Sequence, residues 1–75
     1  MILYSTDLLI ENFVIPYEVN REGNRLFFKP LKDIDGLDVP IFWVAKINGN
    51  WMPLNIDDAK FVQQVQDDIL NHKIN

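Results

Sequence analysis

The sequence predicts an α+β domain: a small antiparallel sheet of four to five strands, built from two hairpins, with one C-terminal helix packed on one face. Three observations carry that expectation. Apolar residues alternate through residues 13–19, an Asn48-Gly49 pair joins two apolar runs, and the chain after residue 55 changes to helical spacing. A small rolled β-barrel with the same helix at one end is the competing architecture. Seventy-five residues make one domain, 1–75, near the lower limit at which an apolar core stabilises itself. Without cysteine no disulfide can supplement that core, so the five Phe, two Trp and two Tyr must fill much of it.

In chain order, residues 2–5 read as a short strand. Residues 6–12 fit two readings: Thr6 or Asp7 caps a helical turn, or Leu8, Leu9 and Ile10 extend the strand. In residues 13–19, Phe13, Ile15, Tyr17 and Val19 share one face, and Pro16, lacking an N–H, favours an edge strand or a bulge. Residues 20–23, Asn-Arg-Glu-Gly, read as a turn before a returning strand over 24–31. A four-residue loop pairs Glu18 with Arg25, Tyr17 with Leu26 and Ile15 with Phe28, whereas a three-residue loop with a bulge shifts that register by one. Either register sends Phe27 and Phe28 to opposite faces. Residues 32–40 form an acidic loop, and Asn48-Gly49 closes the second hairpin as a type I′ turn. Asn55 suits a helix N-cap, with Asp57 and Asp58 in the first turn, and Phe61, Val62, Val65 and Ile69 supply the apolar stripe with Leu70 at its edge. His72 and Lys73 fall in the last turn, where positive charge is favoured.

Catalytic chemistry has few carriers. A nucleophile–base pair needs Ser5 or Thr6 beside the single His72, and these lie near opposite chain ends. Asp68 and His72, four apart, offer two metal ligands where a zinc site needs three or four. Residues 33–38, Asp-Ile-Asp-Gly-Leu-Asp, fail as a calcium loop because Leu31 and Phe42 fall where carboxylates are required. The pairs Asp57/Asp58 and Asp67/Asp68 are sequence neighbours, about 100° apart on a helix, and cannot share a substrate. No enzyme, metal, cofactor or small-molecule substrate is expected. The N-terminal stretch has no basic region and carries Asp7 and Glu11 among its apolar residues, so it reads as neither signal peptide nor membrane span. A cytoplasmic protein without a membrane partner is the expectation.

Two surfaces are candidates for binding. Arg25, Phe27 and Lys29 share a strand face, and cations around an aromatic can form a stacking platform for single-stranded nucleic acid. A net charge of −4 and the lack of an aromatic motif on a neighbouring strand weigh against it, and Arg25 has Glu18 or Glu22 as a nearby ion-pair partner. The second hairpin divides into two apolar faces. Ile41, Trp43, Ala45, Ile47, Met52 and Leu54 form one, which is expected to be core under the helix because it holds no charge. Phe42, Val44, Trp51 and Pro53, with Lys46, form the other. It is covered either by the chain itself, through Leu8 to Ile10 or a curled sheet, or by a protein partner or second copy. The leading functional expectation is therefore a small non-enzymatic interaction or regulatory domain using Phe42, Val44, Trp51 and Pro53. Single-stranded nucleic-acid binding through Arg25, Phe27 and Lys29 is the alternative.

Overall fold

Five strands follow one another in the computed structural model, which describes residues 2–74. They are β1 (Ile2–Ile10), β2 (Phe13–Glu22), β3 (Arg25–Pro30), β4 (Phe42–Ile47) and β5 (Asn50–Pro53), followed by α1 (Ala59–Asn71). Each strand pairs only with its sequence neighbours, always antiparallel, in the order β1-β2-β3-β4-β5. The helix packs against β1 and β5, the two edges, so the sheet curls around it as a half-barrel. The α+β expectation and its rolled alternative meet in this one form. No helix among the described residues is long and apolar enough to cross a membrane.

The ambiguity over residues 6–12 resolves as strand. Tyr4, Thr6, Leu8 and Ile10 turn toward the helix while Ser5, Asp7 and Leu9 face out, the period of two that a strand requires. Glu11 and Asn12 then reverse the chain with φ of 47° and 72°, the two left-handed residues of a type I′ turn. Asn48 and Gly49 do the same at 52° and 83°, as the sequence predicts.

The turn expected at residues 20–23 is displaced. β2 runs on through Glu22, and Gly23-Asn24 is the two-residue connection, with Gly23 at φ 61° and Asn24 outside the positive region, the sign pattern of a type II′ turn. Both anticipated registers are thereby corrected: Glu22 opposes Arg25, Val19 opposes Phe28 and Glu18 opposes Lys29. A glycine at the first central position selects the shorter turn, and Val19–Phe28 pairing keeps both side chains in the core.

Pro16 is likewise not at an edge, since β2 has β1 on one side and β3 on the other. The Pro16 carbonyl accepts from the Leu31 N–H at 2.8 Å. The N–H that proline lacks would point the same way, just beyond Pro30, where β3 has ended. The missing donor therefore costs the sheet no interior ladder bond.

The helix begins three residues later than its expected cap. Asp58, not Asn55, is the N-cap, its carboxylate accepting from the N–H groups of Lys60 and Phe61 at 3.0 and 3.3 Å. Asn55 instead sits at φ 63°, turning the chain from β5 toward the helix. No acidic residue occupies the first turn and no basic residue the last. His72 is the C-cap, and Lys73 at φ 56° completes a Schellman motif: Ile74 N–H donates to Ile69 O and Lys73 N–H to Leu70 O.

The core lies between the concave face of the sheet and α1. Leu8, Ile15, Tyr17, Val19, Leu26, Phe28 and Val44 are buried beneath Val65 and Ile69. Each such side chain contributes roughly 1.5–3 kcal/mol by leaving water. Phe42 stacks on Phe28 at 4.9 Å between centroids and meets Phe61 edge-on at 5.5 Å. The loop between β3 and β4 packs Ile34, Leu37 and Val39 against one end of this core, leaving its aspartates outside. The Tyr17 hydroxyl donates to the Pro40 carbonyl and holds that loop down.

Candidate functional site

Parity separates the two faces of the second hairpin as the sequence indicates, but the assignment of those faces is reversed. Phe42, Val44, Trp51 and Pro53 line the concave side and are buried. Ile41, Ile47 and Met52, expected beneath the helix, are 58, 48 and 38 % exposed. The cause is pairing. Phe42 lies opposite Phe28 and Val44 opposite Leu26, so the inner face of the first hairpin continues across the sheet into β4. Lys46, which marked that side as outward, sits at its open end with Nζ 5.5 Å above the Trp51 ring. Arg21 approaches the same ring at 5.9 Å. The chain itself covers Trp51: its indole N–H donates to Ile74 O at 3.3 Å, and Gln66 Nε2 donates to Trp51 O at 2.8 Å.

The surface left open is the convex face. Phe27 and Trp43, directly opposed on β3 and β4, meet at 4.7 Å between ring centroids with planes inclined by 42°. Ala45 and Met52 pair beside them on β4 and β5, with Ile41 just before β4 and Ile47 at its end. The residues of the nucleic-acid alternative share this face. Arg25 and Lys29 flank Phe27 along β3, but Glu22 stands opposite Arg25 and Glu18 opposite Lys29. Neither cation forms an ion pair within 4.0 Å among the described residues. Sequence reasoning placed Trp43, Ile47 and Met52 in the core, whereas Ile47 and Met52 are exposed and Trp43 is half-buried on the outer face. The signal lay in the first hairpin, where Glu18, Asn20, Arg25 and Lys29 fix the outward side that β4 inherits.

A polar cluster joins β1 to α1. Tyr4 and Thr6, from one chain end, both donate their hydroxyl hydrogens to the carboxylate of Asp68, from the other. The His72 ring stacks on Tyr4 at 3.8 Å, with Nδ1 2.8 Å from the main-chain oxygen of Asp68 and 3.8 Å from its carboxylate. Burial, then the charge of Asp68 and its hydrogen bond, raise the Tyr4 phenol well above its ordinary range. The fold thus brings Thr6 and His72 into one neighbourhood that the sequence spacing did not suggest. Thr6 donates to the Asp68 carboxylate and not to the His72 ring, while Ser5 lies on the other face, and the shared carboxylate ties helix to sheet.

Helix side chains also blunt the sheet edges. Gln64 receives the Leu9 N–H at 2.6 Å and donates to Leu9 O at 3.1 Å, imitating a strand neighbour for β1. At the other edge Gln66 takes Trp51 O and Pro53 has no N–H to offer. The broad open surface is therefore a face and not an edge. Comparison with protein-family models, curated proteins and solved structures finds no match.

Proposed function

We propose that the protein is a small non-enzymatic interaction domain that binds a protein partner, or a second copy of itself, through the convex face around Phe27 and Trp43. The observation that carries this reading is a half-buried aromatic pair on the convex face of a five-stranded sheet, flanked by the exposed Ile41, Ile47 and Met52. A monomer rarely exposes a contiguous apolar patch beyond a few hundred Å², and aromatics are the usual interface anchors. The Trp51 hairpin remains the binding element, but through its other side. The proposed compartment is the cytoplasm, on the sequence grounds given above.

Sedimentation over a wide concentration range, alone and with candidate partners, tests this reading. Wild type should associate, and Trp43→Ser and Phe27→Ser should weaken association at least tenfold while still folding. A wild type that remains monomeric and binds no candidate, or associates as well with both substitutions, overturns it.

One observation favours the second reading. Trp43 supplies, opposite Phe27, the neighbouring-strand aromatic that a nucleic-acid platform uses, beside Arg25 and Lys29. Glu18 and Glu22 oppose it electrostatically. Salt-dependent binding of a single-stranded oligonucleotide, lost in Phe27→Ala, is its signature; no shift at low salt removes it.

A further inference from the structure

At the lower end of the convex face the sheet carries a groove of about 340 Å³. Trp43 of β4 and Ile41, just before that strand, line it on one side and Leu54 and Asn55, just past β5, on the other. Arg25 is the only charged residue along its lining. That guanidinium is exposed and makes no ion pair, hydrogen bond or ring contact among the described residues, although Glu22 stands directly across the ladder. An apolar groove of this size holds one large side chain, and a single uncommitted guanidinium beside it selects a carboxylate by paired hydrogen bonds.

We propose that this groove takes a partner-protein segment presenting a large apolar side chain next to an acidic one. The apolar side chain lies between Trp43 and Leu54, and the carboxylate meets Arg25. This inference rests on the convex-face reading and names the partner chemistry for it. The acidic total of the domain makes the location specific: elsewhere on the molecule the same segment meets a surface of net negative charge.

The test follows the two indole N–H signals by NMR during titration with an end-blocked Phe-Glu dipeptide and its Phe-Gln counterpart. The Phe-Glu peptide should shift the Trp43 signal saturably and leave Trp51 unmoved, with Phe-Gln binding about tenfold more weakly, the loss of one charge-assisted contact. Arg25→Gln, with unchanged thermal stability, should bind both peptides equally and weakly. Equal binding of the two peptides to wild type, unaltered binding in Arg25→Gln, or no saturable shift overturns the proposal. A thymidylate oligomer that shifts Trp43 where Phe-Glu does not also overturns it, by making phosphate the anion recognised. The convex-face reading fails separately: it survives a silent dipeptide if Trp43→Ser still abolishes association, and falls if no association exists to abolish.

Discussion

Trp43 and Trp51 belong to one hairpin, eight residues apart in the chain, yet they do opposite work. Trp51 is 6 % exposed, bonded to Ile74 and Gln66 and overlaid by Lys46 and Arg21. Trp43 leans on Phe27 at the sheet surface. What distinguishes them is not local sequence, since both sit in apolar surroundings, but the strand across the ladder. β4 inherits its orientation from β3, where Phe28 is buried and Phe27 is not. A face that is apolar on both sides is oriented by its neighbours.

The comparison breaks most visibly under truncation. Trp51→Ala should cost about 3–5 kcal/mol, a large share of the roughly 4–11 kcal/mol expected for a domain this size. Trp43→Ala should cost about 1 kcal/mol or less, because it removes a cross-strand pair and little core. Urea unfolding of the two variants reads both; equal losses refute the face assignment.

The clamp between β1 and α1 comes next. Asp68→Ala leaves the Tyr4 and Thr6 hydroxyls without their acceptor and should lower stability by about 1.5–3 kcal/mol. A loss below 0.5 kcal/mol, on the order expected for an exposed ion pair, would show that the cluster is incidental.

Alkaline unfolding sharpens the contrast between inside and outside in another way. Burial raises both Tyr4 and Tyr17 above the ordinary tyrosine value of 10.0, with Asp68 adding to the effect on Tyr4. Above pH 10 the unfolded chain releases these protons while the folded one keeps them. The unfolded state then binds fewer protons, so stability falls as pH rises. Each tyrosine contributes a slope of about 1.4 kcal/mol per pH unit, absent below pH 10. Tyr17→Phe and Tyr4→Phe should each flatten the urea midpoint profile above pH 10, and an unchanged profile contradicts the burial argument.

The smallest effects concern backbone. Lys73→Gly and Glu11→Asn place residues suited to positive φ where the chain holds a Lys at 56° and a Glu at 47°. Each should stabilise by about 0.5–1 kcal/mol in the same urea assay, with the convex face unaffected.

These two positions also show where the sequence was readable. Asn48-Gly49 announces its turn because both residues tolerate left-handed backbone, whereas Glu11-Asn12 does not, and residues 6–12, the second half of β1 and its turn, fit both strand and helix. Its alternation of Tyr4, Thr6, Leu8 and Ile10 against Ser5, Asp7 and Leu9 held the answer. The helix stripe through Phe61, Val65 and Ile69 was legible because period 3.6 needs no partner to interpret. Which face of the second hairpin points outward was not, because composition cannot rank two apolar faces. The Tyr4–Asp68–His72 cluster was hidden for a further reason: |i−j| of 64 between Tyr4 and Asp68 carries no local signal.

The most direct test of the two-faced hairpin compares hydrogen exchange at its two indole N–H groups in one NMR sample of the wild-type chain. Trp51, 6 % exposed and donating to Ile74 O, should exchange at least about a hundredfold more slowly than Trp43, reflecting an opening cost of roughly 3 kcal/mol or more. A Trp43 indole as protected as Trp51, or more so, would contradict the account and return the proposed binding surface to the other face of the hairpin.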